Sequence, residues 1–149
     1  IGCEVFSGGI AKLVEKIDED GLDNVRVYTD DALKLLQKLP DASLAGAYLL
    51  YPDPWPKTRH HKRRFISPLT LGELARVLKP GSVFRFATDI EDYANWTLAH
   101  ILRSPDFAFS PASPAEWHTP YPGWQPTRYE EKARLEGRMK SFYLSFVRR

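Results

Sequence analysis

Apolar positions along the chain follow two alternating spacings. Short apolar runs, typical of β-strands, are separated by segments in which apolar residues recur every three or four positions, as in amphipathic helices. The clearest helical segment is 8–20, where Ile10, Leu13 and Ile17 share one face. The pattern predicts strands at 1–5, 25–28, 44–51, 83–87, 107–109 and 142–147, and helices at 8–20, 32–39, 69–78, 91–102 and 129–135.

This alternation of strands and helices predicts an α/β fold with a mostly parallel sheet and helices on both faces. The 149 residues are 43% apolar, which suits one domain with a modest core, so we predict a single domain over residues 1–149. A long loop is predicted at 111–126, and it contains five prolines.

The cellular compartment is indicated only indirectly. No apolar run reaches membrane-spanning length, the start carries no signal-peptide pattern, and Cys3 is the single cysteine. A reducing cytoplasm is the simplest expectation, with Cys3 as a small buried side chain. The oligomeric state stays open between monomer and homodimer.

Charge is unevenly distributed along the chain. The formal net charge is +2, yet residues 1–50 hold five Lys or Arg against nine Asp or Glu, whereas residues 51–149 hold sixteen against ten. The densest cationic stretch, Lys57 to Arg64, has five Lys or Arg within eight residues. Such a stretch attracts a polyanion, although a merely solvated loop is the plainer alternative.

An acidic residue stands directly before this cationic stretch. The sequence YPDPWP places Asp53 between Pro52 and Pro54, immediately after a predicted buried strand. Proline fixes its own φ and restricts the residue before it, so Asp53 should have an extended backbone and a well-defined carboxylate direction. A preorganised carboxylate of this kind is typical of a functional site.

Other predicted strands also end in acidic side chains: Glu4, the pair Asp30 and Asp31, and Asp89. Functional groups in open α/β sheets gather beyond the carboxyl ends of the strands. A carboxylate after the first strand suits a ribose diol, and one after the second could accept from an adenine amino group, which together imply a nucleoside cofactor. For Asp30, Asp31 and Asp89, capping of the next helix is the alternative.

Several segments together resemble the tRNA (guanine-N(7))-methyltransferase family, which uses S-adenosylmethionine. They are IGCE, NVRVYTDDA, PDPWPKTRHHKRR, RVLKPG, FATD and TRYEEKARLEGR, and they run from Ile1 to near the C-terminus. The resemblance implies a Rossmann-like class I methyltransferase fold and transfer of a methyl group to N7 of a guanine in tRNA. It departs from the family in lacking the first strand and the glycine-rich turn, so the chain resembles an N-terminally truncated member.

The resemblance also implies residue roles. Asp53 matches the active-site carboxylate and a cofactor contact, and Glu4 and Asp31 match residues at the cofactor's ribose and adenine. Substrate contacts are implied for Lys57, Asp89, Thr127, Arg128, Tyr129 and Glu130, and RNA contacts for Arg59, His60, His61, Lys62, Arg63 and Arg64.

Guanine N7 carries a lone pair and no proton, so the implied reaction needs no strong base, and Asp53 is expected to position the base and stabilise its developing positive charge. Trp55 and Tyr129 could stack on a displaced base or simply pack against the sheet. His60 and His61 are adjacent, point apart and lack a completing ligand set, so no metal site is predicted.

Two alternatives remain open. An RNA-binding module without catalysis would use the basic loop alone, with its carboxylates acting as helix caps. A nucleotide-binding domain of another transferase would not explain the combination of TRYE with PDPWPK. Carboxylates at Glu4 and Asp31 favour the methyltransferase, because a pure binding module has no use for them.

Overall fold

A computed structural model describes residues 1–111, 113–137 and 140–149. Every predicted strand and helix is present, and only the boundaries differ. The elements are β1 (Gly2–Cys3), α1 (Ser7–Glu19), β2 (Val27–Tyr28), α2 (Ala32–Leu36), β3 (Leu44–Leu50), a 3-10 helix (Thr58–Arg63), α3 (Pro68–Val77), β4 (Leu78–Thr88), α4 (Glu91–Ile101), β5 (Phe107–Ala108), a second 3-10 helix (Pro114–His118), α5 (Arg128–Leu135) and β6 (Phe142–Arg148). Ala112 of the predicted proline-rich loop and Arg138 of the TRYE segment lie outside the described residues.

The chain divides into two compact units, residues 1–40 and 41–149. In the first unit β1 and β2 pair in parallel, with Gly2 opposite Val27 and Cys3 opposite Tyr28. Leu36 is the buried hydrophobic residue of this unit. The prediction of a buried Cys3 is wrong: the thiol is exposed, because a two-residue strand paired with another of the same length provides little cover.

The second unit contains a four-stranded sheet in the order β3-β4-β6-β5. β4 is parallel to β3 and antiparallel to β6, and β6 is antiparallel to β5, so β6 alone runs against the other three. The mostly parallel sheet is therefore confirmed in strand direction, but two of its three ladders are antiparallel. The reason is that β6 begins at Phe142 opposite Thr88, at the carboxyl end of β4, and must run back from there.

The core of this unit lies on one face of the sheet. Phe84, Phe86 and Phe146 are almost fully buried there, beside Phe107 of β5 and against the ring of Tyr93 from α4. Glu130 of α5 accepts a hydrogen bond from the hydroxyl of Tyr143, whose side chain alternates with the buried ones of β6. In the described part of the chain, no helix is both long enough and apolar enough to cross a membrane.

The junction between α3 and β4 differs from the prediction. The predicted helix 69–78 and strand 83–87 left residues 79–82, which include Lys-Pro-Gly, between them, yet β4 begins at Leu78, directly after α3. Pairing with β3 shifts between Leu44 opposite Leu78 and Gly46 opposite Val83, so the extra residues are accommodated within the strand. Gly81 has φ +80°, a conformation that glycine adopts without strain.

Candidate functional site

The loop after β3 leaves the sheet through two strained residues. Tyr51 has φ +48° and Trp55 has φ +44°, a region that bulky residues adopt only when the surrounding structure enforces it. The amide of Tyr51 still donates to the carbonyl of Ala87, at 2.8 Å, as the last bond of the ladder. Asp53 lies between the two strained residues with an exposed side chain, at the carboxyl end of β3.

Three segments from distant parts of the sequence meet beside this loop. The ring of Tyr51 lies 5.0 Å from the ring of Tyr129, and the Tyr129 hydroxyl donates to the Asp89 carboxylate at 3.2 Å. The Tyr51 hydroxyl in turn donates to Ser141 at 3.1 Å. The motifs YPDPWP, ATD and TRYE are thus brought together at the carboxyl ends of β3 and β4.

Asp89 is half-buried and does not cap the helix that follows it. The N-cap of α4 is Ile90, whose amide donates a hydrogen bond to the hydroxyl of Thr88 at 3.2 Å. The helix-cap alternative is therefore wrong for Asp89, whose carboxylate instead accepts the bond from Tyr129.

Glu130 is buried, with 2% of its surface exposed. Its carboxylate accepts hydrogen bonds from the indole of Trp124 at 3.0 Å and the hydroxyl of Tyr143 at 2.5 Å, and it pairs with Arg134 at 2.8 Å. The predicted substrate contact at Glu130 thus concerns an enclosed carboxylate whose donors are all protein groups. Its geometry suits a residue that holds α5 against the sheet.

Other predicted substrate contacts are more accessible. Thr127 is the N-cap of α5, with its hydroxyl accepting from the Glu130 amide at 3.1 Å, and Arg128 is exposed in the first turn. Lys57 is exposed directly before the 3-10 helix.

Two tyrosines around the site stay protonated well beyond neutral pH. Burial raises the pKa of Tyr51 above its ordinary value of 10.0. Burial, followed by the hydrogen bond to Glu130, raises the pKa of Tyr143 as well. Both phenols therefore remain hydrogen-bond donors at neutral pH.

The basic segment forms the 3-10 helix Thr58–Arg63 rather than a structureless loop. Lys57, Arg59, Lys62 and Arg63 are exposed, and His60 and His61 are half-buried. The Arg63 guanidinium lies 4.8 Å above the ring of Trp55, a cation–π contact that joins the cationic surface to the strained loop.

Arg64 differs from its neighbours, because its side chain is 0% exposed. Its Nε donates to the carbonyl of Pro54 at 2.8 Å, and its Nη2 pairs with the Asp92 carboxylate. The guanidinium carbon also lies 4.9 Å from the ring of Tyr93 and 5.1 Å from that of Trp96. The predicted RNA contact at Arg64 does not fit this enclosure, which turns the guanidinium towards protein groups.

The carboxylates of residues 1–40 follow two paired parallel strands. Glu4 Oε1 accepts from the amides of Val5 and Phe6 at 2.7 and 2.8 Å. Asp31 is exposed and caps α2, with its Oδ1 accepting from the Leu33 amide at 2.9 Å, so the capping prediction is confirmed there. Both carboxylates follow their strands at the same edge, where they offer acceptors of the kind that a nucleoside requires.

The neighbouring Asp30 is paired differently. Its carboxylate binds Lys34 at 2.9 Å, and this bond lowers the pKa of the exposed Asp30 carboxyl. Among the described residues there is no group of three or more His, Cys, Asp or Glu arranged to hold a metal ion.

Sequence reasoning missed several members of this site. Tyr51 could have been predicted from the motif, because it directly precedes the Pro-Asp-Pro sequence and lies at the same strand end as Asp53. Asp92, Ser141 and Tyr143 carry no local signal, since they reach the site only through pairing of distant segments.

The sequence of this chain is similar to the sequences of known methyltransferases. Residues 1–142 match a family model with the description "Putative methyltransferase". The chain is 55% identical over 149 residues to a Mesorhizobium japonicum protein and 54% identical to one from Brucella melitensis, both named tRNA (guanine-N(7)-)-methyltransferase. These alignments cover 100% of the chain and 64% of each relative, so the chain spans somewhat less than two thirds of their length.

Solved structures show the same fold at low sequence identity. The [4+2]-cyclase SpnF aligns with a TM-score of 0.59 at 17% identity, over 99% of this chain and 65% of that one. An S-adenosylmethionine-dependent O-methyltransferase from Thermotoga maritima aligns with a TM-score of 0.52, also at 17% identity, over 95% of this chain and 47% of that one. These two structures show the fold alone, whereas the family match over residues 1–142 shows that the chain belongs to this putative methyltransferase family.

Proposed function

We propose that this chain belongs to an enzyme that transfers a methyl group from S-adenosylmethionine to N7 of a guanine in tRNA. The observation that carries the proposal is the contact of Tyr129 with both Tyr51 and Asp89, which gathers three separate segments beside the exposed carboxylate of Asp53. The names of the curated relatives support the same substrate and reaction.

The cofactor supplies an electrophilic methyl group on a sulfonium. On the protein side, Glu4 suits the ribose diol, because both of its backbone hydrogen bonds use Oε1 and a second oxygen remains to accept from a hydroxyl. Asp31 presents an exposed carboxylate for the adenine amino group while its Oδ1 caps α2. Asp53 is the third proposed contact with the cofactor. The sequence contains no glycine-rich turn of the GxGxG type.

Asp53 is proposed to act by position and charge. Guanine N7 attacks with its own lone pair, so the carboxylate has no proton to remove. It accepts from the N–H edge of the guanine and stabilises the positive charge that develops on the base. A preorganised group of this kind contributes roughly 3 kcal/mol, and alignment of the reactants can contribute about 7 kcal/mol or more.

The remaining residues hold the substrate. Lys57, Asp89, Thr127, Arg128 and Tyr129 surround the site as substrate contacts, with Glu130 holding the helix that carries three of them. The exposed cations of the basic segment bind phosphates, and His60 and His61 lie among them; the RNA-facing set is Arg59, His60, His61, Lys62 and Arg63. We further propose that residues 1–149 form one methyltransferase domain that acts in the cytoplasm, on tRNA.

A methyl-transfer assay tests the proposal. Unmodified tRNA and labelled S-adenosylmethionine are incubated with this chain, with a longer form preceded by the N-terminal residues of the Mesorhizobium japonicum relative, and with Asp53→Ala in the longer form. We expect transfer by the longer form and a loss of about 100-fold or more in Asp53→Ala. Asp18→Ala, which removes an exposed carboxylate from α1, is the matched control and should retain activity.

Binding distinguishes the two functions that the sequence left open. If the longer form binds tRNA but transfers no methyl group, the enzyme proposal fails and a tRNA-binding module takes its place. Equal transfer by Asp53→Ala and Asp18→Ala would remove Asp53 from the active site.

A further inference from the structure

We infer that Arg64 is a positioning residue that sets the direction of the Asp53 carboxylate by fastening the strained loop to the first turn of α4. The inference rests on the proposed function and goes beyond it. It takes Arg64 out of the RNA-binding set and gives a role to Asp92, which lies in none of the motifs.

Arg64 contacts the backbone at Pro54, which lies between Asp53 and the strained residue Trp55. Pro54 directly follows Asp53 and directly precedes Trp55, and its carbonyl is the acceptor for Arg64 Nε at 2.8 Å. Strained φ values such as that of Trp55 persist only where surrounding contacts enforce them. A hydrogen bond to Pro54 therefore restrains both the strained residue and the carboxylate beside it.

The other side of the guanidinium is attached to a rigid support. Arg64 Nη2 pairs with Asp92 in the first turn of α4. The next residue, Tyr93, is 0% exposed, and its hydroxyl accepts from the Ile66 amide at 3.4 Å. The indole of Trp96 donates to the Ile66 carbonyl at 2.8 Å. The chain just after Arg64 is thus held on α4 by two hydrogen bonds to Ile66.

Arginine suits this task better than lysine. Its planar fork donates from Nε and Nη2 in fixed directions to two acceptors that belong to different segments, while the rings of Tyr93 and Trp96 lie near the guanidinium. An ammonium group is a point charge on a flexible stem and cannot hold both acceptors in one geometry.

The surroundings of Arg64 serve its positioning role and are not optimal for stability. Arg64 Nη1 is enclosed and has no hydrogen-bond partner in the described part of the chain. A buried donor without a partner is unfavourable, and such exceptions in a folded protein call for an explanation. Placement of the Pro54 carbonyl provides one.

The test separates positioning from RNA contact and from simple destabilisation. In the longer form, Arg64→Lys keeps the charge and loses the fork. We expect kcat per folded molecule to fall about 10- to 100-fold, because small misplacements of reacting groups have effects of this size, with KM for tRNA changed less than about 2-fold. Arg103→Lys is the matched control: this exposed arginine follows the far end of α4 and should change neither constant.

A second variant covers the case in which Arg64→Lys does not fold. Asp92→Asn changes a side chain that is 65% exposed and weakens the support for Arg64, together with the 3.9 Å contact between Asp92 and His61 Nε2. The protein should fold, with the same loss confined to kcat but smaller. An unchanged kcat in every variant that folds would overturn the inference. A higher KM for tRNA with unchanged kcat would also overturn it, because Arg64 would then be contacting RNA.

Hydrogen exchange tests the inference independently of catalysis. The Tyr51 amide, which donates to the Ala87 carbonyl at 2.8 Å where the strained loop begins, should exchange at least about 10-fold faster in Arg64→Lys. Exchange of the amides within β4 and α4 should be unchanged, because local opening follows the loss of local contacts. If the longer form proves inactive, the proposed function fails while this measurement still decides the positioning role. Equal exchange of the Tyr51 amide in the two proteins would contradict it.

Discussion

At the scale of single residues, two carboxylates with similar motif signals have opposite environments. Asp53 is exposed between two residues of positive φ, whereas Glu130 is buried among Trp124, Tyr143 and Arg134. An exposed carboxylate can meet a substrate, and a buried one with three protein donors stabilises the structure that carries the site.

Glu130→Gln tests the second role. The amide keeps the volume but loses the charge and turns an N–H₂ group towards one of the three donors, so we expect the free energy of unfolding to fall by about 1 to 3 kcal/mol. Urea unfolding of the variant and of the parent measures this change. Glu131→Gln, an exposed change on the same helix, should stay within about 0.5 kcal/mol of the parent. Equal stability of the two variants would show that the buried network contributes little.

At the scale of elements, the basic segment combines a cationic surface with an anchor. The 3-10 helix Thr58–Arg63 presents its cations outward, while Arg64 at its end turns inward to Pro54 and Asp92. The following helix α3 starts with a capping box, in which Ser67 accepts from the Thr70 amide at 3.2 Å and Thr70 accepts from the Ser67 amide at 3.0 Å. The surface for phosphate is therefore held at its C-terminal end by defined contacts.

The outward cations predict a salt-dependent affinity for tRNA. Each phosphate contact contributes about 0.7 to 0.9 to the slope of log affinity against log salt concentration, so the double variant Arg59→Ala with Lys62→Ala should reduce the slope by about 1.4 to 1.8. Titration of tRNA binding in the longer form between about 50 and 200 mM salt measures it. Arg103→Ala provides the control for loss of an exposed cation elsewhere. If the double variant and the control have the same slope, this segment is not the docking surface.

At the scale of the whole molecule, the two units differ in how much they bury. Residues 41–149 contain a core of aromatic and aliphatic side chains under a four-stranded sheet. In residues 1–40 the described strands have two residues each, and apolar side chains such as Val5 and Phe6 are about 70% and 69% exposed.

This difference predicts unequal local stability. In native-state hydrogen exchange of this chain, amides of α1 and β2 should exchange faster than those of β4 and β6, because few buried contacts oppose their opening. Mass spectrometry of peptides from the two units measures the rates. Protection of α1 equal to that of β4 would contradict the prediction and would show that burial within the first unit understates its stability.

Local sequence patterns were enough to predict the order and type of the elements and most of the chemistry at the strand ends. These features depend on local periodicity and local motifs, which is why the α/β class, the position of Asp53 directly after a strand and the cap at Asp31 were predictable. The residues resembling a known family also identified YPDPWP, ATD and TRYE as parts of one site, although nothing local places Tyr51 against Tyr129.

The tertiary structure alone decided which side chains are enclosed and which strands are neighbours. Arg64 and Arg63 have the same charge, yet Arg64 is buried and Arg63 is exposed. The reason is that α4 places Asp92 and the rings of Tyr93 and Trp96 against Arg64. The position of β6 beside β4 depends on pairing between segments that are far apart in the sequence. The exposure of Cys3 depends on the neighbouring strand, which is too short to cover it. Periodicity reports which face of an element is apolar, whereas burial and pairing are set by what packs against that face.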